Sequence, residues 1–130
     1  MIELENCRSV LVADDDKETR LYLRALMQSW GCRVSEAPDG QEAIDMVSRE
    51  CPDLVLLDLN MPKVNGLAAA ETIRKIAGQC EHVPIIAITA YDTYGIEDAA
   101  LAAGCNNYIR KPINQDELER VLLRLFPLSF

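Results

Sequence analysis

Short, unbroken apolar runs alternate along this chain with segments whose apolar residues recur every three or four positions. That alternation constrains the fold more than any other feature. The clearest runs are Ser9-Val10-Leu11-Val12-Ala13, Leu54-Val55-Leu56-Leu57 and Pro84-Ile85-Ile86-Ala87-Ile88-Thr89, with weaker ones at Cys32 to Ala37 and at Asn107-Tyr108-Ile109-Arg110. Such runs read as strands buried on both faces. Between them, Leu23, Leu26, Met27 and Trp30 share one helical face, and Gly31 follows as a stop. Ala43, Ile44 and Val47 mark a second helix that ends before Pro52. Gly66 to Ala77 reads as a third, with Leu67, Ala70, Ile73 and either Ile76 or Ala77 inward. Glu97 to Ala103 is a short fourth helix stopped by Gly104. Asn114 and Glu117 have capping-box spacing and open a last helix with Leu118, Val121, Leu122 and Leu125 on its core face. Five strands alternating with five helices predict an α/β fold, a doubly wound parallel sheet with helices on both faces and right-handed crossovers.

Length and charge narrow the function. A chain of 130 residues is expected to form a single domain over 1–130, with its core at about 8–126 and no output domain. Its net charge of −8 disfavours binding of nucleic acid or an anionic membrane by bulk charge. The start of the chain lacks the pattern of a signal peptide and no apolar run is long enough to span a bilayer, so a cytoplasmic location is expected. The cysteines are Cys7, Cys32, Cys51, Cys80 and Cys105. Their odd number, wide spacing and lack of a C-x-x-C pair predict reduced thiols acting as small hydrophobes. A zinc site is disfavoured because His82 is the only histidine.

In an open parallel sheet, ligands bind beyond the carboxyl ends of the strands. The first strand is followed by Asp14-Asp15-Asp16, the third by Asp58, and the fifth by Lys111-Pro112, while the fourth ends at Thr89. Each of these has an ordinary explanation when taken singly. An Asp triple can be a helix start, and Asp16 suits an N-cap. Thr is a common strand residue, and lysines are mostly exposed. Their joint placement on one inferred rim points to a site for a divalent cation and a phosphoryl group.

These residues resemble the response-regulator receiver domains of two-component signalling, in particular those like the chemotaxis regulators. The matching segments are Val10-Leu11-Val12-Ala13-Asp14-Asp15-Asp16, Pro52 through Pro62 with Gly66 after it, Pro84 through Ala90, and Tyr108-Ile109-Arg110-Lys111-Pro112. The resemblance implies a flavodoxin-like sheet with strand order 2-1-3-4-5. It implies that Asp58 accepts a phosphoryl group from a phosphohistidine, and that Asp14, Asp15, Asp58 and the backbone carbonyl of Asn60 bind Mg2+, with Mn2+ able to take its place. It gives Lys111 and Thr89 contacts to the phosphoryl group, makes Pro112 a cis-proline, and makes Thr89 and Tyr108 a switch pair. Asn60 and Tyr91 flank the site as tuning positions for hydrolysis. The implied partners are a histidine kinase or phosphotransfer protein as donor and a downstream protein at the face formed by the fourth helix, fifth strand and fifth helix. No direct contact with nucleic acid or membrane is expected, and a monomer or a phosphorylation-dependent dimer is implied. The resemblance further implies that no substrate is turned over and that the chain catalyses only its own phosphorylation and dephosphorylation.

Other readings compete. The chain could serve as the receiver module of a hybrid histidine kinase or phosphorelay, or as a docking module independent of phosphorylation. A haloacid-dehalogenase-like phosphatase needs a second acid where Asn60 stands. A flavodoxin-like cofactor binder needs a neutral phosphate loop where the three aspartates stand. No dinucleotide or nucleoside-triphosphate loop motif is present.

Overall fold

The computed structural model describes residues 4, 6–76, 78–90 and 94–128. The strands are β1 (Ser9–Ala13), β2 (Arg33–Ala37), β3 (Leu54–Asp58), β4 (Ile85–Thr89) and β5 (Asn107–Arg110). The helices are α1 (Lys17–Ser29), α2 (Gly40–Arg49), α3 (Gly66–Arg74), α4 (Ile96–Ala102) and α5 (Gln115–Leu125), with a 3-10 turn at Gly78–His82. All five strands are parallel, in the order β2-β1-β3-β4-β5. This is the flavodoxin-like order, with the switch point between β1 and β3.

Burial follows the apolar runs. Every residue of β3 and β4 is buried, as central strands covered on both faces should be. Alternate side chains of the sheet feed two cores. One joins Leu11, Val55, Leu57 and Ala87 to α2, α3 and α4. The other joins Val10, Val12, Leu56 and Ile88 to α1 and α5. The helices start on side-chain caps: Asp16, Asp39, Asn65 and Asn114 each accept a backbone N–H from the first turn that follows. The α4 helix has no such cap and starts after Gly95, whose φ is 85°.

Several boundaries depart from the sequence reading. The third helix stops at Arg74 rather than running to Ala77, which lies outside the described residues. Gly78, at φ 91°, then turns the chain into the 3-10 segment, so helical periodicity at Ile76 does not extend the helix. This segment also takes in His82, which the sequence alone suggests is a loop residue. The fourth helix starts at Ile96 and ends at Ala102, and the second strand starts at Arg33 rather than Cys32.

The cysteine expectation is also corrected. Cys51 and Cys80 form a disulfide, while Cys7, Cys32 and Cys105 are free and buried. The pair is separated by 29 residues in sequence. Cys51 leads into β3 and Cys80 into β4, and the register Val55↔Ile85 sets those two entries side by side. Linear spacing carries no trace of that neighbourhood.

Candidate functional site

Parallel strands all end on one edge of the sheet, so the residues that follow them share a rim. The backbone there is pinned before any side chain acts. The Asp14 N–H donates to the Ala37 carbonyl at 3.0 Å, the Leu59 N–H to Ile88 at 3.0 Å, and the Lys111 N–H to Thr89 at 2.8 Å. The Lys111–Pro112 peptide is cis. Gly66, at the start of α3, lies against the end of β3. A Cβ there would sit 2.2 Å from the Asp58 carbonyl oxygen, so only glycine lets α3 approach so closely.

The structure brings Asp14, Asp15, Asp58 and Lys111 together. Carboxylate oxygens of the three aspartates lie within 4.8 Å of one another. Asp14 and Asp58 are buried and Asp15 is exposed, so the group opens to solvent on one side. The Lys111 ammonium sits 2.9 Å from Asp14 Oδ2 and 3.6 Å from Asp58 Oδ2. The remaining oxygens are oriented by backbone: Asp14 Oδ1 accepts the Asp16 N–H at 2.9 Å, and Asp58 Oδ1 accepts the Asn60 N–H at 3.1 Å. Thr89 is fully buried at the end of β4, one residue past the Asp58↔Ile88 pair. Tyr108 is half-buried on β5 opposite Ala87. The Asn60 side chain is exposed, and Tyr91 lies outside the described residues.

The electrostatics are unfavourable for three ionised acids. Burial pushes the Asp58 carboxyl up to about 6; the Asn60 N–H opposes this, Asp14 adds to it, Lys111 opposes it and Asp15 adds a little more. Burial pulls the Lys111 ammonium down, but Asp14 and Asp58 outweigh it and the net shift is upward. Asp16 stands apart from the cluster. Its carboxyl is lowered, first by the Thr19 hydroxyl, which donates to Oδ2 at 2.6 Å. It works as the α1 N-cap.

Lys111 is one cation facing three acids. Among the described residues, Asp14 Oδ2 is fully buried and has no aligned hydrogen-bond donor despite the ammonium beside it. A buried oxygen left in that state is a liability unless a cation completes it. The donor set is all oxygen, which suits a hard divalent ion that keeps some of its waters. Asp14, Asp15 and Asp58 therefore fit Mg2+.

Sequence reasoning missed one support of this cluster. Arg20, one turn into α1, donates from Nη1 to the Asp14 carbonyl at 2.7 Å and from Nε to Glu36 Oε1 at 3.2 Å. It ties β1, α1 and β2 together behind the acids. Its place four residues after the Asp16 cap was the available signal, but an arginine on a helix surface has no distinguishing pattern.

The chain matches the family described as the response regulator receiver domain across residues 10–123. It is 37% identical over 121 residues to an uncharacterized 14.6 kDa protein of Leptolyngbya boryana, covering 93% of this chain and 91% of that one. It is 39% identical over 118 residues to the response regulator MprA of Mycobacterium tuberculosis, covering 88% of this chain and 50% of MprA. It thus spans about half the length of that regulator. Among solved structures it resembles the receiver domain of the Pseudomonas aeruginosa PAO1 sensor histidine kinase PA1611, which has a magnesium ion coordinated in its active-site cleft. That match has a TM-score of 0.84 at 32% identity, covering 94% of this chain and 99% of the other. It also resembles the receiver domain of Saccharomyces cerevisiae Ssk1, crystallised with the histidine phosphotransfer protein Ypd1. There the TM-score is 0.86 at 25% identity, covering 97% and 92% of the two chains.

Proposed function

The chain belongs to the response regulator receiver domain family, and on that premise we propose that it accepts a phosphoryl group on Asp58 in a Mg2+-dependent reaction. The observation that carries this reading is the buried Asp58 carboxylate set against Asp14, Asp15 and Lys111 at the carboxyl edge of the sheet. A carboxylate oxygen of Asp58 attacks the phosphorus of a partner's phosphohistidine. The new O–P bond forms as the N–P bond breaks, and the imidazole nitrogen leaves with the electron pair. Water later cleaves the acyl phosphate and releases inorganic phosphate.

Phosphoryl transfer asks for positioning and charge neutralisation more than covalent chemistry. Lys111 supplies a mobile positive charge between Asp14 and Asp58, and moves to a phosphoryl oxygen after transfer. The Thr89 hydroxyl donates to the same group. Asp14, Asp15, Asp58 and the Asn60 backbone carbonyl would hold the cation. When bound, Mg2+ offsets the carboxylate charge that would otherwise repel an anionic donor. The chain turns over no substrate beyond its own modification.

The output is a population shift. Thr89 moving toward the phosphoryl group and Tyr108 turning inward bias the face of α4, β5 and α5, where a downstream protein docks. The donor is a histidine kinase or a phosphotransfer protein in the cytoplasm. No described helix is long and apolar enough to cross a membrane. Asn60 and Tyr91 tune hydrolysis, with the Tyr91 ring restricting in-line water. Equal dephosphorylation rates for wild type and Tyr91→Ala would discard that role for the ring.

Incubation with acetyl phosphate and Mg2+, read by intact mass, tests the main reading. Wild type is expected to gain one phosphoryl group and Asp58→Asn none. Absence of any gain in wild type would leave only a docking module. The likeness to a receiver carried by a sensor histidine kinase supports a second reading, in which this domain acts as the receiver module of a hybrid kinase or phosphorelay. A phosphotransfer profile against candidate donors separates the two.

A further inference from the structure

The amino end of the sheet, opposite the acidic rim, carries a cleft of about 420 Å3 between the last turn of α2, Pro52 ahead of β3, and the strands β1 and β2. Its origin lies in the residue pattern of β2. In the register Ser9↔Arg33, Leu11↔Ser35 and Ala13↔Ala37, the odd-numbered side chains share the face that α2 covers. At the carboxyl end these are alanines, and Ala43 and Val47 pack closely on them. Toward the amino end β2 presents Ser35 and then Arg33, both exposed, and offers α2 nothing apolar to close upon. The last turn of α2 therefore stands away from the edge strand and leaves a groove.

The lining of the groove has two parts. Leu11 and Val47, both buried, and the half-buried Met46 make an apolar floor. Arg33 and Arg49 stand at its mouth. Among the described residues neither guanidinium makes an ion pair or a side-chain hydrogen bond, although the chain carries a net charge of −8 and other arginines find carboxylates. Ser35 adds an exposed residue with a hydroxyl to the lining, and Glu50 an exposed acid. The rim is held firmly. Cys51, between Glu50 and Pro52, is tied to Cys80, and Asp53 Oδ2 accepts the N–H groups of Arg8 at 2.8 Å and Ser9 at 3.1 Å. The volume falls within the usual range for small-molecule sites, about 300–1,000 Å3.

We propose that this cleft binds a small organic anion, an apolar or aromatic body bearing a phosphate, sulfonate or carboxylate head. Arg33 and Arg49 take the head as planar forks, which suit oxyanions better than a point charge does. Leu11, Met46 and Val47 take the body. Glu50 disfavours ligands of high negative charge, so a singly or doubly charged head is preferred to a polyphosphate. The site is independent of Asp58 and of the phosphoryl chemistry proposed there.

Titration with 8-anilinonaphthalene-1-sulfonate, an aromatic anion whose fluorescence reports binding, tests the proposal. Wild type is expected to bind one probe per chain. The double substitution Arg33→Gln with Arg49→Gln should weaken the probe at least tenfold, and Ser35→Trp, which fills the groove from an exposed position, should do the same with both arginines kept. Asp58→Asn should leave the affinity unchanged. Adenosine monophosphate and benzoate, used as competitors, distinguish a phosphate head from a carboxylate; inorganic phosphate alone should compete poorly. Amide shifts on probe binding should cluster at residues 9–11, 33–35 and 46–52. Absence of saturable binding, equal affinity in all variants, or shifts clustered at residues 14, 15 and 58 would overturn the assignment.

Discussion

The two ends of one sheet are built on opposite terms. At the carboxyl end, Asp14 and Asp58 are buried beside Asp15 and the Lys111 ammonium, and among the described residues Asp14 Oδ2 lacks an aligned donor. At the amino end, a disulfide and the double acceptor Asp53 clamp the strand entries, and the local charge is well solvated. The acidic rim is electrostatically expensive, since burial and like charge push the Asp58 carboxyl up. The amino end has no such debt and holds the strands in register. The same five strands thus separate chemistry from stability along their length, and perturbing each end should have opposite consequences.

The largest effect is expected at the amino end. Replacing Cys51 and Cys80 together with serine frees a loop of 29 residues and should cost about 3.6 kcal/mol in chemical denaturation. The phosphorylation level of Asp58 should not change. A thiol count on the denatured, unreduced protein should find three reactive cysteines rather than five; five would remove the clamp from the comparison.

A gain of stability is expected at the other end. Asp58 is raised from the ordinary 3.8 to about 6, so the folded state holds the proton more tightly than the unfolded chain. Ionisation therefore costs nothing below about pH 4 and its full amount above about pH 6. Asp58→Asn should stabilise the fold by about 3 kcal/mol at pH 7, and the gain should fade as pH falls from 6 to 4. A pH-independent gain would show that packing, not charge, is responsible.

Mg2+ should relieve the same burden. At ten times its Kd the ion should add about 1.4 kcal/mol to wild-type stability. Thermal melts with and without MgCl2 should show this shift in wild type and lose it in Asp14→Asn. An equal shift in both proteins would place the ion elsewhere. The smallest change returns to the amino end: Asp53→Ala should cost about 1 kcal/mol through loss of its bonds to Arg8 and Ser9, without altering Mg2+ binding.

How far the sequence could be read depended on whether a signal was local. The strand runs at β1, β3 and β4 were plain because burial on both faces removes polar residues from the string. The caps at Asp16 and Asn114 were equally plain, since a cap and its first turn are neighbours in the chain. The rim acids were legible because a parallel sheet sends whatever follows each strand to one edge. The Cys51–Cys80 bond was not, because it depends on β3 and β4 being adjacent. Nor was the Arg20 clamp on Asp14, where an ordinary helix-surface arginine happens to reach a strand end.

The string of residues by itself determined that this chain alternates strand and helix, buries an aliphatic core and carries its acids and one lysine just past strand ends, because each of those facts is written in contiguous residues. Only the tertiary structure decided how tightly those groups meet, which carboxylate oxygen lacks a donor, which cysteines join and where α2 stands away from β2. Each of these is set by register and helix placement across the sheet, and such distances emerge only when separate segments pack.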